Sequence, residues 1–548
     1  MGRRRQKERA QQQSRRTQQV SSYPCVEQSE ESSTPAAGCD ASGSVKGDSA
    51  AHSTRSSVAA GGDSMNDSST GWGGPPLMIA VLVAGTFGDM QPFVVLSQEL
   101  QKAGHQIRLA THVNYKTFVE DQGVEFFPLG GDPEFLSKLM VKNRGFLPAG
   151  VSELSRQRQE FHNILFSTWD ACTRPTPASN RPFLANCIIA NPPAAGHVHC
   201  AEKLGVPLHM VFTMPWSRTW SYPHPLSYTR YRSGVRTLRN RLSYFATETF
   251  IYSGTSDIVQ KFRVDLLGLE KAPTLGGAAM TLHSLRVPFT YAWSPALAPK
   301  PADWGPHIAV TGFLFLEERH EQRYDPPPAL AAFLAEGPPP VYIGFGSMVA
   351  KDPQKLTNTI FSAVAEAGVR AVMNRGWGKF GSSDPPRSIH LIEHTPHSWL
   401  FPRCSALVHH GGAGTTAAGA LAGRPQLVVP FFGDQAMWGE LIEQHGCGPH
   451  PIPANQLSEK SLVAALRHMQ AGPVQAAAAR LAALLANEKG AQYAAAAFHR
   501  HLPRRAMLCD LDATRQVPPV PCPALGIASQ RSATPGGPCE PDWQSRLH

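Results

Sequence analysis

No apolar run in the 548 residues is long enough to cross a bilayer. Ten cysteines are present, but they are scattered and form no CxxC pair. That spacing indicates neither a zinc site nor a disulfide framework, and it points to a reducing compartment. The first residues, MGRRRQKERAQQQSRR, lack the apolar core of a secretory signal. No carboxylate pair stands at metal-ligating spacing. The one conspicuous Gly-rich turn has no Lys-Ser/Thr after it, which excludes a Walker loop, and the first strand is followed by no GxGxxG, which disfavours a dehydrogenase. Acids are the scarcer charge, 42 against 51 Lys and Arg, for a formal net charge of +9. That balance permits contact with anionic lipid or nucleic acid and demands neither.

Hydrophobic residues make up 42 % of the chain, an ordinary share for a globular protein. Residues 1–76 are rich in Ser, Gln, Gly and charge. They read as a disordered tail whose basic start is either a membrane-surface patch or simply solvated. Order is expected from Leu77. LMIAVLVA, QIRLATH, VEFFPL, CIIAN and LHMVF read as short buried strands, with helical spacing in FVVLSQELQKAG. A Pro-rich break follows, and then the alternation restarts with PVYIGFGS, VRAVMN, SIHLIE, ALVHH and QLVVPFF. Strands alternating with helices predict an α/β protein with parallel sheets covered on both faces. The expected organisation is a Rossmann-like half at 77–315, a linker at 316–340, a second Rossmann-like half at 341–502 and a disordered tail at 503–548. The site is expected in the cleft between the halves, at the C-terminal ends of their strands.

VHHGGAGTT, residues 408–416, is the most specific local signal. A strand ends at His410, and Gly411, Gly412 and Gly414 let the backbone of the following helix start approach an anion closely. Thr415 and Thr416 add hydroxyls, and His410 stands ready to donate to a diphosphate. Without a ligand, the same residues make a tight strand-to-helix turn. PFFGDQAMWG delivers Asp434 and Gln435 to the same sheet edge. A carboxylate beside an amide suits sugar hydroxyls, and it suits a helix cap equally well. Gly346 and Ser347 end another strand. In the first half, Gly88 and Asp89 lie in the turn after the first strand, where Asp89 is either a general base or a helix cap. MPWSRTWSYPHPL offers Trp216, Trp220 and Tyr222 as aromatic walls for a rigid apolar acceptor, or as ordinary core. Residues 135–148 mix Leu, Met and Phe with Lys and Arg and read as a membrane-touching lip.

Taken together these segments resemble the UDP-glycosyltransferases of GT-B architecture, in which two Rossmann-like domains face across a cleft. Among them the chain is most similar to the sterol 3-beta-glucosyltransferases. The resemblance runs over about residues 77–500 and rests on GTFGDMQPF, MPWSRTWSYPHPL, VPFTYAWSPALAPKPADWGPHI and HSWLFPRCSALVHHGGAGTT. It implies inverting transfer of glucose from UDP-glucose to a sterol 3-beta-hydroxyl, with Asp89 as base. By the same resemblance His410, Gly412, Gly414, Thr415 and Ser347 hold the diphosphate, and Asp434 and Gln435 grip the glucose. The implied partners are a UDP-sugar and a sterol or other lipid, without nucleic acid, cofactor or metal. The place is cytoplasmic, with peripheral contact on an anionic membrane. A related transferase for another lipid or polyketide aglycone, or a non-catalytic sterol- or nucleotide-binding relative, carries the same motifs. The pattern departs at Phe87, where the sterol enzymes have Arg, and at Ile392, where plant small-molecule relatives have a Trp on the uracil. Trp377 and Trp399 lie near that position in sequence.

Overall fold

Short strands that are apolar along their whole length need cover on both faces, and the computed structural model supplies it. It describes residues 72–507 apart from 144–149, 178, 228, 230, 232–235, 273–276, 317–323, 347, 349–351, 377–380, 382–383 and 394. Most of both expected tails, Ser347, Trp377 and the end of the expected 135–148 lip therefore lie outside the described residues.

Twelve described strands form two sheets. The first comprises β1 (Met78–Leu82), β2 (Gln106–His112), β3 (Glu125–Leu129), β4 (Cys187–Ala190), β5 (Leu208–Phe212), β6 (Phe289–Tyr291) and β7 (Ile308–Val310) in the order β3-β2-β1-β4-β5-β6-β7. The second comprises β8 (Val341–Gly344), β9 (Ala371–Asn374), β10 (Ile389–Ile392), β11 (Ala406–His409) and β12 (Gln426–Val428) in the order β10-β9-β8-β11-β12. Every pairing is parallel; Ile79, for example, lies opposite Ile107 on one side and Cys187 on the other. In each sheet the strand order reverses once, between β1 and β4 and between β8 and β11. The loops that leave those four strands part there and open a crevice, so the topology itself places a ligand site.

Six helices matter below: α1 (Phe87–Lys102), α2 (Val151–Thr173), α3 (Leu238–Lys261), α4 (Ala413–Leu421), α5 (Gln435–Gln444) and α6 (Gly490–His501). The first five follow strands or line the cleft within their own half. α6 departs from the expected division at 341–502. Its Ala494, Ala495 and Phe498 share a core with Phe93, Val94 and Ile107 of the first half. An added Cβ at Gly490 would come within 2.2 Å of the Phe313 carbonyl, so only glycine lets the chain cross back this closely. Ser294 donates to Glu488 at 2.6 Å and Trp293 packs against Trp438, further tying the halves together. The expected linker also carries structure: residues Pro328–Ala335 form a helix that buries Leu330 and Phe333 against Tyr342 and Val372.

Order extends past both expected limits, Leu77 and residue 502. Trp72 stacks on His499 at 5.1 Å, and the Arg504 guanidinium lies 4.7 Å from the Trp72 ring. His105 Nδ1 accepts from the Leu77 N–H, so its Nε2 donates to His499 Nε2 at 2.9 Å. Burial holds the pKa values of both rings down to about 4, with the neighbouring ring adding for His105 and Arg504 adding for His499. An unfolded imidazole takes its proton near 6.5, whereas these folded rings refuse it until about 4. Stability is therefore expected to fall as pH drops through that window, by at most about 1.4 kcal/mol per pH unit for each proton the pair takes up. Urea midpoints measured against pH check this, and His499→Phe should flatten the slope.

Candidate functional site

The β1 exit is pinned by two side chains that no local motif announces. Asn191, just past β4, donates from Nδ2 to the Ala84 carbonyl at 2.8 Å and accepts the Ala84 N–H at 3.1 Å. His112, the last residue of β2, accepts the Gly85 N–H at 3.2 Å. So held, the chain turns at Thr86 into α1. Asp89 closes that turn, its Oδ2 accepting from both the Thr86 N–H, at 2.8 Å, and the Thr86 hydroxyl, at 2.9 Å. The two readings of Asp89 are therefore not exclusive, because the capping carboxylate also borders the cleft. Burial raises its pKa above 3.8, against the lowering effect of the Thr86 bonds. Gly88 borders the cleft beside it. So does Phe87, 43 % exposed and packed 4.9 Å from Phe118.

Across the cleft, β11 ends in His409 and the glycine turn. His409 Nδ1 accepts the Gly411 N–H at 3.0 Å, so its Nε2 donates to Gln426 Oε1 at 2.8 Å. Gly411 sits at φ +87°, and Gly346 at φ +57°. The His410 ring is wedged between glycines: a Cβ at Gly412 would approach its Nε2 to 2.5 Å, and one at Gly346 its Cε1 to 3.2 Å. Burial pushes the His410 pKa down to about 3, with His409 and His397 adding, so the ring is neutral at physiological pH. Its buried Nδ1 has no hydrogen-bond partner among the described residues. α4 starts at Ala413 with no side-chain cap, and among the described residues nothing satisfies its first N–H groups. Gly414 and Thr415 border the cleft there, whereas the Thr416 hydroxyl is spent on the Gly412 carbonyl at 3.0 Å.

Asp434 and Gln435 complete this wall. Burial pushes the Asp434 pKa up to about 7; the Trp438 indole N–H, 2.5 Å away, lowers it and the charge of Asp89 raises it. That coupling ties a carboxylate of the first half to one of the second. Gln435 is partly committed to structure, since its Oε1 accepts the Phe431 and Phe432 N–H groups at 2.7 and 3.2 Å. Among the described residues its amide N–H₂ reaches only the Met348 sulfur, at 3.7 Å, and it borders the cleft.

These groups line one cavity of about 1300 Å³ shared by both halves. The first-half end is apolar, with Phe161, Phe212, Met214, Trp216, Phe250 and Phe313 on its wall. Two of the three expected acceptor aromatics stand elsewhere. Tyr222 is buried, its hydroxyl bonded to the Pro299 carbonyl, and Trp220, whose backbone N–H donates to Asp303, is not on the cavity wall. A run of aromatics in sequence does not say which of them faces a cavity. Trp399 packs against Tyr324 and Arg403 and is not part of the cavity wall, and neither is Ile392. No local motif announces Glu248, a cavity residue paired with Arg218 at 3.2 Å, whose burial pushes its pKa up to about 7.

Residues 79–223 match the glycosyltransferase family 28 N-terminal domain, and residues 378–496 match the erythromycin biosynthesis protein CIII-like C-terminal domain. The fold is similar to the crystal structure of the glycosyltransferase of kitacinnamycin, with a TM-score of 0.58 at 17 % identity over 78 % of this chain and 100 % of that one. It is also similar to the calicheamicin glycosyltransferase, with a TM-score of 0.53 at 17 % identity and the same coverage. The architecture is thus that of a GT-B glycosyltransferase. In sequence the chain is 46 % identical over 430 residues to one sterol 3-beta-glucosyltransferase of Arabidopsis thaliana, covering 78 % of this chain and 66 % of the relative. It is 44 % identical over 431 residues to a second, covering 78 % and 69 %. A sterol 3-beta-glucosyltransferase of Cryptococcus neoformans is 35 % identical over 451 residues, with 78 % of this chain covering 27 % of that one. The chain belongs to the sterol 3-beta-glucosyltransferase family, and it spans about two thirds of the plant relatives' length and about a quarter of the fungal one's.

Proposed function

We propose that the chain transfers glucose from UDP-glucose to the 3-beta-hydroxyl of a sterol, with inversion. The observation that carries this reading is a single cavity, apolar at one end and glycine-lined at the other, with Asp89 on the first-half wall and the His410–Thr415 turn on the second. Asp89 takes the proton of the acceptor hydroxyl as its oxygen attacks the anomeric carbon, and the bond from that carbon to the diphosphate breaks on the opposite face. A partly desolvated carboxylate with a raised pKa is a better base than a free one. The growing charge on UDP is met by the uncapped N–H groups of α4 and by neutral His410, so the reading calls on no metal. Each such donor is worth roughly 2.7–4 kcal/mol if it acts as oxyanion-hole donors do. Asp434 and the Gln435 amide N–H₂ hold the glucose hydroxyls. The reading places the enzyme on the cytosolic side, where UDP-sugars and reduced cysteines coexist.

Incubation with labelled UDP-glucose and a panel of sterols, followed by lipid extraction, tests the proposal. A labelled β-linked sterol glucoside is expected, and label in water alone would overturn it. Gln435→Ala is expected to raise KM for UDP-glucose by about tenfold or more while UDP affinity changes far less. Equal losses of both would mean that the residue serves only to shape the Phe431–Phe432 loop.

A further inference from the structure

Trp220, absent from the cavity wall, belongs to a different surface. The Arg241 guanidinium lies 5.2 Å from its ring, on the N-terminal part of α3. There Leu238, Leu242 and Phe245 recur at i, i+4 and i+7 and are 56, 54 and 40 % exposed. They make one stripe on the helix, about 10 Å long at the helical rise. A helix packed on a domain normally turns polar residues outward, and this one turns a second apolar face to solvent. Farther along, Phe250 is 51 % exposed and borders the cavity, as does Leu154 on α2, 41 % exposed. At about 100° per residue Phe250 stands roughly 110° around α3 from the centre of that stripe, so the cavity opens beside an adjoining face of the same helix, within about two turns of the stripe.

Charge selects the occupant. Arg236, Arg239 and Arg241 are exposed beside the stripe. The single acid between residues 236 and 250 is Glu248, which is buried and paired with Arg218. The described outer face of residues 236–250 thus carries three cations and no anion, and the exposed Asp303, which accepts the Trp220 backbone N–H, is an acid at its edge. Apolar side chains flanked by arginines, with a tryptophan at the edge, match the headgroup layer of an anionic bilayer: the apolar groups reach the acyl boundary and the guanidinium groups stay among the phosphates. Among the described residues no helix is long and apolar enough to cross a membrane. We propose that Trp220, Leu238, Leu242 and Phe245, with Arg236, Arg239 and Arg241, dock the chain on an anionic lipid surface, with the cavity-lining Phe250 on the adjoining face of the same helix, near that surface. The docking stands on the surface alone; its purpose, loading a lipid acceptor without passage through water, rests on the function proposed above.

Sedimentation of the full chain with phosphatidylcholine vesicles, with and without phosphatidylserine, tests the docking. Wild type is expected to sediment with the phosphatidylserine vesicles and to be released by salt. The combined Leu238→Ser, Leu242→Ser and Phe245→Ser variant is expected to bind at least about tenfold more weakly. Leu242→Met with Phe245→Leu should keep binding, and Arg236→Gln with Arg239→Gln and Arg241→Gln should lose the preference for phosphatidylserine. Transfer to detergent-dispersed sterol should be unchanged in all of them, which separates failure of docking from failure of the proposed reaction. Sedimentation of the serine variant at the wild-type level would overturn the proposal and move the contact elsewhere in the chain. So would a wild type that ignores vesicles, or a solution dimer that the serine variant breaks. Should the serine variant also lose detergent activity, the arginine variants, which alter no buried group, decide the matter.

Discussion

Replacing Asp89 with asparagine is expected to lower the transfer rate by about 10²–10⁴-fold, the usual contribution of a positioned general base. UDP affinity is expected to stay near the wild-type value. The amide keeps an oxygen for the Thr86 N–H and hydroxyl, so the turn into α1 survives, and only the proton acceptor is lost. The groups proposed to hold UDP lie on α4 and its preceding turn, in the other half of the molecule. In wild type, kcat/KM should rise with pH along a limb set by Asp89, whose pKa stands above 3.8 because burial outweighs the Thr86 bonds. The residual activity of the variant should lose that limb. A second effect follows from the coupling across the cleft. The Asp89 charge helps to hold the Asp434 pKa up at about 7, so its removal should move the pH midpoint of UDP-glucose binding downward. Single-turnover rates and calorimetric titrations against pH measure both effects. An Asp89→Asn protein that still transfers at close to the wild-type rate removes the base from the proposed reaction; one that also loses UDP affinity has misfolded.

Why some of this was visible in sequence and some was not has a physical basis. Strands buried on both faces must be apolar along their length, so β1 to β5 and β8 to β12 stand out as short apolar runs between polar segments. β6 and β7 are three residues each and are embedded among proline and tryptophan, so no periodicity marks them. The apolar face of α6 is plain in AAAAFHRH, yet nothing in those residues says that its partner is α1, about 400 positions earlier. The site follows the same division. Glycines forced to positive φ, as at Gly411 and Gly346, leave a signature because no other residue fits. Asn191 and His409 hold the two turns that form the site; Asn191 shows in sequence only as a lone polar residue at the end of an apolar strand, and His409 only as the neighbour of His410. Asn191 finds its partner 107 positions away. Trp220 and Tyr222 fail in the opposite direction: the composition was right for an acceptor wall, but the loop turns both rings away from the cavity. Local chemistry is written locally, whereas facing is decided by packing.

That distinction can be tested within the glycine turn itself, where two substitutions a turn apart should have opposite consequences. Gly411→Ala must place a Cβ on a backbone at φ +87°, 2.5 Å from Val428 Cγ1 and 2.9 Å from the Gln435 carbonyl oxygen. Neither the strand side chain nor the helix-start backbone can move aside cheaply. The expected cost is about 2–5 kcal/mol from backbone strain and overpacking together. It should appear as a lowered melting temperature with or without UDP, and with a displaced Asp434–Gln435 wall the donor should bind poorly. Gly414→Ala meets nothing within 4 Å and lies inside α4, so it should fold at least as well as wild type, gaining up to about 1 kcal/mol of helix propensity. The open space that accepts the new methyl is the space proposed for the diphosphate, so the gain in stability should come with a loss of UDP affinity. Thermal melts of both variants with and without UDP resolve the two effects. If Gly414→Ala binds UDP as tightly as wild type, the anion does not lie at the start of α4. The unpartnered His410 Nδ1 and the uncapped N–H groups of that helix would then be a feature of the fold without a ligand to meet.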